Sequence, residues 1–128
     1  MLVVDDDPNM QRWAAGVLQT AGYRVASASD ALTGMMVVRS FQPDVIVVDL
    51  GLPGGGGKGF VERLRRLTAF QRTPVLILSA KLSSDSRREL APLGVADFLD
   101  KPVNPALFIR AVHRAATGGS NPAHSSPA

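Results

Sequence analysis

Carboxylates stand at two points where an apolar strand is expected to end. Asp5 and Asp6 follow the short run Leu2–Val4. Asp49 follows Val45–Val48, whose unbroken apolar character is typical of a central parallel strand covered on both faces. The next residues, LGLP and then four glycines, cannot continue the strand. Because ligands of open α/β sheets bind at the carboxyl ends of the strands, Asp49 is predicted to lie at the mouth of a site.

Two more polar side chains are predicted at this edge of the sheet. Ser79 follows the apolar run Val75–Leu78, and Lys101 comes shortly after Val95–Leu99. Carboxylates beside a hydroxyl and an ammonium group, without His or Cys, suit a hard divalent cation with oxygen ligands. We therefore expect Mg²⁺, with Mn²⁺ as an alternative, and a phosphate as a further ligand.

The chemistry that fits this set of residues is phosphoryl transfer to Asp49. A carboxylate is a competent phosphoryl acceptor. The cation, Lys101 and the Ser79 hydroxyl would each stabilise a different oxygen of the transferred group. Positioning would then supply most of the rate enhancement.

Five strand signals alternate with five helix signals, which predicts a parallel sheet with helices on both faces. The strands are predicted at Leu2–Val4, Tyr23–Ser29, Asp44–Val48, Val75–Leu78 and Val95–Leu99. The helices are predicted from Pro8 to near Gly22, from Asp30 to Ser40, from Lys58 to Ala69, from Leu82 to Leu93, and from Asn104 to just before Gly118. The fourth helix is poor in apolar residues, so we expect it to be thinly packed and mobile.

Composition places the chain among globular single domains. It has 128 residues, of which 45% are hydrophobic and 20% charged, and it contains no cysteine for a disulfide or a thiolate site. The chain starts in a strand without a basic leader and has no apolar run near the roughly 20 residues that span a bilayer, so a cytoplasmic protein without membrane association is expected. Its net charge is only +3, and the arginines are spread over several predicted helices, which argues against direct nucleic-acid binding. Residues 118–128 have the composition of a disordered tail or linker.

Four motifs occur together in this chain: Asp5-Asp6, Asp49 with LGLP and Gly57 downstream, Ser79-Ala80, and Lys101-Pro102. Their order and spacing resemble the receiver domain of two-component response regulators, over essentially residues 2–117. The resemblance implies a receiver domain at residues 1–117 with a flavodoxin-like, doubly wound, five-stranded parallel sheet of order 2-1-3-4-5 and five helices.

The same resemblance implies roles for individual residues. Asp49 would be the phosphorylation site, and Asp6, Asp49 and the backbone carbonyl of Gly51 would bind the metal, with Asp5 acting partly through water. Ser79 and Phe98 match a switch pair, in which the hydroxyl moves toward the phosphoryl group and the aromatic ring turns inward.

The implied protein is a phosphoacceptor that assists its own phosphorylation and dephosphorylation, rather than an enzyme acting on a separate substrate. Its phosphoryl donor would be a histidine kinase or a histidine phosphotransfer protein. Phosphorylation would bias a two-state surface formed by the fourth helix, fifth strand and fifth helix. The downstream effector, and whether the chain is free-standing or part of a longer protein, stay open.

Two departures from the usual receiver pattern affect the expected phosphoryl lifetime. The positions that tune this lifetime in the family are occupied here by Gly51 and Lys81. Because Gly51 has no side chain to position a water molecule, we expect slow self-hydrolysis. In addition, Ser79 stands where many members carry threonine, and the glycine run Gly54–Gly57 is expected to leave the loop beside Asp49 mobile.

Other readings of these residues explain less. Turn formation and helix capping account for Asp7 but not for five polar residues converging on one edge. A haloacid-dehalogenase-like phosphatase would carry a second Asp where Gly51 stands, and a dinucleotide-binding domain would carry glycines where the first three acids stand. A receiver fold used only for docking, without phosphorylation, is kept as the alternative function.

Overall fold

The computed structural model describes residues 1–80 and 82–118, which form one parallel sheet between two layers of helices. The strands are β1 (Leu2–Val4), β2 (Ala26–Ala28), β3 (Ile46–Asp49), β4 (Val75–Ser79) and β5 (Val95–Asp100). The helices are α1 (Pro8–Thr20), α2 (Ala31–Phe41), α3 (Gly56–Arg66), α4 (Ser84–Leu90) and α5 (Pro105–Ala116). Short 3₁₀ turns lie at Pro53–Gly55, Thr68–Phe70 and Ala91–Leu93.

The sheet has the order β2-β1-β3-β4-β5, and every neighbouring pair is parallel. This confirms the predicted flavodoxin-like topology with strand order 2-1-3-4-5. Val4 lies level with Val48, Asp49 with Leu78, and Ser79 with Asp100. The polar ends of β1, β3, β4 and β5 are therefore brought to one edge of the sheet, as the sequence predicts.

Alternate strand residues feed two separate hydrophobic clusters. In β1, Leu2 and Val4 pack with residues of α2 and α3, whereas Val3 packs with residues of α1 and α5. The two faces of β3 and β4 divide in the same way, and every residue of β3 and β4 is buried. Burial on both faces explains why these strands have continuous rather than alternating apolar sequences.

The helix starts follow the capping signals in the sequence. Asp7 accepts a hydrogen bond from the Asn9 backbone N–H, and Asp30 accepts one from the Thr33 backbone N–H. Asn104 caps α5 in the same manner. These side chains satisfy backbone donors that have no partner inside the helix.

The bounds of the second strand and of the third helix were predicted wrongly. The second strand does not extend over Tyr23–Ser29. Among the described residues this edge strand pairs with the three-residue β1 alone, so its pairing is limited to Ala26–Ala28. The third helix runs over Gly56–Arg66 instead of from Lys58 to Ala69. It ends early because Leu67 adopts an extended conformation, after which the chain forms a 3₁₀ turn.

The fourth helix is shorter than predicted and thinly packed. It covers Ser84–Leu90 rather than extending from Leu82 to Leu93, and it buries only Leu90. Pro92 lies in the 3₁₀ turn that follows the helix. Lys81 and the predicted tail beyond Gly118 lie outside the described residues. Across the described ranges, no helix combines the length and the apolar character needed to cross a bilayer.

Candidate functional site

Asp49 lies at the sheet edge, at the end of a buried strand that pairs with a neighbour on each side. It is 7% exposed and follows three fully buried residues of β3. After it, the Leu50 N–H donates to the Leu78 carbonyl at 2.8 Å, and the Gly51 N–H donates to Asp49 Oδ1 at 2.9 Å. The carboxylate is therefore oriented by the loop that begins immediately after it.

The start of α3 packs directly against this loop. A Cβ atom at Gly57 would lie 2.7 Å from the Asp49 carbonyl oxygen and 2.8 Å from Leu50 Cα. Two preceding glycines, Gly54 and Gly55, have φ angles of 67° and 71°, in the left-handed region where glycine is favoured. The glycine run thus lets the chain turn sharply from Asp49 into a helix that touches the Asp49 backbone.

The acid pair is presented by the turn between β1 and α1. Asp5 is 1% exposed, and its backbone N–H donates to the Ala28 carbonyl at 3.0 Å. One carboxylate oxygen of Asp5, Oδ1, accepts a hydrogen bond from the Asp7 N–H at 2.9 Å. Asp6 is exposed. The buried acid is thus fixed by the turn, while its neighbour faces solvent.

Lys101 connects β5 to both buried carboxylates. Its backbone N–H donates to the Ser79 carbonyl at 2.8 Å. Its Nζ lies 2.9 Å from Asp5 Oδ2 and 3.4 Å from Asp49 Oδ2. Burial of the Lys101 ammonium alone would lower its pKa, but the hydrogen bonds and charges of Asp5 and Asp49 outweigh burial and raise that pKa above its ordinary value. Lys101 therefore stays charged over the physiological range.

Asp5, Asp6 and Asp49 form a donor set suited to a divalent cation. One carboxylate oxygen from each residue lies within 4.8 Å of the oxygens of the other two. Three carboxylates against the single Lys101 ammonium leave a formal charge of −2, which a divalent ion would neutralise. An all-oxygen donor set of this kind matches Mg²⁺ or Mn²⁺.

The structure places the remaining predicted site residues at or near the same edge. Gly51 contacts Asp49 through its N–H, and its carbonyl as a metal ligand stays a prediction. Ser79 is buried at the end of β4, the strand beside β3. Phe98 lies on β5 level with Ile77, and is partly buried. The switching roles of Ser79 and Phe98 stay predictions.

Contacts around α4 were not anticipated from the sequence. The Arg87 guanidinium carbon lies 5.1 Å from the centroid of the Phe98 ring. Lys58 at the start of α3 forms a 3.0 Å ion pair with Glu89. Single charged residues on exposed helix faces carry no sequence signal for such pairs, because their partners are distant in the chain.

A second unanticipated contact comes from Gln11 on α1. Its Nε2 hydrogen-bonds the Asp5 carbonyl and also lies 3.1 Å from Ser29 Oγ and 3.3 Å from the Ala28 carbonyl oxygen. Gln11 therefore touches the backbone that carries the acid pair. A single glutamine on an amphipathic helix carries no sequence signal that predicts this contact.

Comparison with known proteins shows the family to which the chain belongs. The family model described as "Response regulator receiver domain" matches residues 1–113. The chain belongs to this family. Receiver domains are signalling domains of two-component systems, and this receiver domain is similar to those of response regulators.

Several relatives illustrate the match. The KDP operon transcriptional regulatory protein KdpE of Escherichia coli is 33% identical over 102 residues, covering 80% of this chain and 44% of that protein. Hybrid signal transduction histidine kinase D of Dictyostelium discoideum is 38% identical over 102 residues, covering 80% of this chain and 6% of that protein. The chain thus spans less than half the length of these curated relatives.

Solved structures show the same fold over almost the whole receiver domain. The chemotaxis response regulator CheY4 of Vibrio cholerae superposes with a TM-score of 0.82 at 30% identity, covering 89% of this chain and 95% of that one. A response regulator of Chloroflexus aurantiacus superposes with a TM-score of 0.84 at 28% identity, covering 91% and 95%. Since these superpositions cover 89% and 91% of this chain, the receiver fold accounts for nearly all of the described residues.

Proposed function

We propose that this receiver domain, at residues 1–117, accepts a phosphoryl group on Asp49 in a Mg²⁺-dependent reaction. The observation that carries the proposal is the grouping of Asp5, Asp6 and Asp49 oxygens within 4.8 Å, with Lys101 bridging two of them. Like charges held this close repel one another, so the arrangement is costly unless a cation neutralises part of the charge.

The chemical step is a displacement at phosphorus. An Asp49 carboxylate oxygen attacks the phosphorus atom, the bond between phosphorus and the donor breaks, and the donor leaves with the electron pair. From a phosphohistidine the leaving group is an imidazole, and from acetyl phosphate it is acetate. The product is an acyl phosphate on Asp49.

Each neighbouring residue has a separate task in this step. Gly51 holds Asp49 Oδ1 through its N–H, which leaves the carboxylate in one orientation. Lys101 keeps its shorter contact to Asp5 and can turn its charge from Asp49 toward a phosphoryl oxygen. Ser79 is buried at the neighbouring strand end, and its hydroxyl would donate a hydrogen bond to another phosphoryl oxygen.

Asp5, Asp6, Asp49 and the Gly51 carbonyl would hold the metal, with Asp5 acting partly through water. A bound Mg²⁺ supplies positive charge against the phosphoryl oxygens, which lowers the repulsion that they meet from the acidic site. Asp5 and Asp49 are buried and their carboxylates accept hydrogen bonds from backbone N–H groups, so these two ligands are held in place, whereas Asp6 is exposed.

The proposed donor is a histidine kinase or a histidine phosphotransfer protein, and the proposed readout is the surface formed by α4, β5 and α5. Phe98 lies within that surface, and its ring contacts Arg87 of α4. A receiver fold used only for docking is less well supported, because docking does not require buried carboxylates beside a charged lysine.

Intact-protein mass spectrometry after incubation with acetyl phosphate tests the proposal. With Mg²⁺ the native chain should gain one phosphoryl group, and with a chelator it should gain none. Asp49→Asn should gain none under either condition. Asp44→Asn is the matched control, because Asp44 is exposed just before β3 and should leave phosphorylation unchanged.

A phosphoryl adduct of equal yield in Asp49→Asn would contradict the proposed acceptor. Absence of any adduct on the native chain, together with no response of its NMR spectrum to Mg²⁺ and beryllofluoride, would favour the docking-only function.

A further inference from the structure

Gln11 ties the ends of two neighbouring strands to the first helix. Its Nε2 donates to the carbonyl of Asp5, at the end of β1, and lies within hydrogen-bond distance of the Ala28 carbonyl and Ser29 Oγ, at the end of β2. An amide nitrogen has two hydrogens, so one side chain can serve both strands at once. Gln11 is thus the contact through which α1 holds this corner of the sheet edge.

The Asp5 carbonyl has a particular place in the site. It belongs to the peptide group that links Asp5 to Asp6, so its direction fixes the backbone from which both carboxylates project. The other polar groups of Asp5 already have partners: its N–H binds Ala28, and its carboxylate binds the Asp7 N–H and Lys101. Gln11 supplies the donor for the one remaining polar group, the carbonyl.

The hydrogen bond from Gln11 to the Asp5 carbonyl is important because Asp6 is exposed. Asp5 is held by its own side-chain contacts and by burial, whereas Asp6 is exposed at the start of a turn. With the intervening peptide group free to rotate, the Asp6 carboxylate would sample positions away from Asp5 and Asp49. By hydrogen-bonding the Asp5–Asp6 peptide group, Gln11 limits the positions that the Asp6 carboxylate can sample before a cation binds.

We propose that Gln11 is a positioning residue for the cation site, acting through the Asp5–Asp6 peptide group. This inference rests on the proposed function, since it assumes that the three carboxylates bind Mg²⁺. Removing outer contacts of metal ligands commonly weakens metal binding by about 10- to 100-fold. Gln11 acts through the backbone rather than on a ligand atom, so we expect the lower end, about tenfold.

The test is an Mg²⁺ titration of the full chain, followed through the backbone amide NMR signals of residues 5–7. Gln11→Met keeps the length of the side chain and removes its donors. Gln19→Met is the matched control, because it makes the same change on the exposed side of the same helix. Asp6→Asn, which removes a proposed ligand, marks the effect of a damaged site.

We expect the Mg²⁺ dissociation constant to rise about tenfold in Gln11→Met and to stay within twofold of the native value in Gln19→Met. A purely structural role for Gln11 would lower the unfolding temperature and leave Mg²⁺ affinity unchanged, and that result would overturn the inference. If Gln11→Met does not fold, Gln11→Asn carries the same expectation, since it withdraws the amide by one methylene.

The outcomes separate this inference from the proposed function. Unchanged affinity in Gln11→Met, with weakened binding in Asp6→Asn, would overturn the role of Gln11 alone. Absence of Mg²⁺ binding by the native chain would overturn both the role of Gln11 and the proposed cation site.

Discussion

Both carboxylate oxygens of Asp49 have a donor in this structure, and the two donors differ. The Gly51 N–H is fixed by the backbone at 2.9 Å from Oδ1, whereas the Lys101 ammonium lies 3.4 Å from Oδ2 on a flexible side chain. Lys101 is held more closely by Asp5, at 2.9 Å. In the proposed phosphoryl transfer, Lys101 would move onto a phosphoryl oxygen while its contact with Asp5 is kept.

The lifetime of the proposed acyl phosphate depends on what stands at residue 51. A Cβ atom at Gly51 would lie 3.3 Å from Asp49 Oδ1, so any side chain there projects from a point beside the Asp49 carboxylate. We expect Gly51→Asn to shorten the phosphoryl half-life several-fold, because its amide can orient a water molecule toward phosphorus. The decay of the phosphorylated mass after removal of the donor measures this half-life.

Gly59→Asn is the control for this prediction, because a Cβ atom at Gly59 has nothing within 4 Å and the residue lies along α3. Its half-life should match that of the native chain. An unchanged or lengthened half-life in Gly51→Asn would show that the missing side chain does not limit hydrolysis.

At the scale of the elements, a single methyl group at Gly57 would disturb the packing of α3. A Cβ atom at Gly57 would come within 3.0 Å of backbone atoms of Asp49 and Leu50. Backbone cannot rotate away as a side chain can, so we expect Gly57→Ala to lower the free energy of unfolding by about 1–3 kcal/mol. Denaturant unfolding followed by circular dichroism measures the change.

The same substitution two residues further along α3 should have the opposite sign. Gly59→Ala adds a methyl group in open space and reduces the conformational entropy of the unfolded chain, so it should raise the free energy of unfolding by about 0.5–1 kcal/mol. Equal effects at Gly57 and Gly59 would mean that close approach to the Asp49 loop does not explain why residue 57 is glycine.

Few contacts attach α4 to the rest of the domain, so the loss of any one of them should increase local unfolding of this helix. Leu90 is its one buried residue, and the Arg87 guanidinium lies over the Phe98 ring. A cation over an aromatic ring at such an exposed site contributes about 0.5–1 kcal/mol. Arg87→Ala should therefore raise amide hydrogen exchange across Ser84–Leu90 by about two- to fivefold.

Arg88→Ala provides the comparison, since Arg88 is highly exposed and its ion pair with Asp85 stays within α4. Its exchange rates should remain close to native. If both variants accelerate exchange equally, the loss of helix charge rather than the contact with Phe98 is responsible.

At the scale of the whole molecule, the parallel sheet and the edge that carries the site could be predicted because each strand has a distinct signal, whereas the order of the strands was implied by the resemblance to receiver domains. The unbroken apolar runs before Asp49 and Ser79 correspond to strands buried on both faces. Parallel strands all end at the same edge of the sheet. The polar residues that follow four of the apolar runs could therefore be predicted to lie together.

The features that were missed depend on partners distant in sequence. The second strand was predicted too long because its length is limited by β1, and the ends of α3 were misplaced because glycine and Leu67 conformations depend on the folded loops. The contacts of Gln11 and Arg87 are made with other segments of the chain, which come close to them only in the folded protein. Local periodicity carries no information about such contacts.

The whole arrangement leads to one claim, that Asp49 is the residue that receives the phosphoryl group. Borohydride reduces an aspartyl phosphate to homoserine, so the modified position is recorded permanently in the chain. The native protein would be incubated with acetyl phosphate and Mg²⁺, reduced, and mapped by peptide mass spectrometry. The structure leads us to expect homoserine at Asp49, and none when Mg²⁺ is withheld. Homoserine at Asp5 or Asp6, or a stable phosphate on Ser79, would contradict the proposed mechanism.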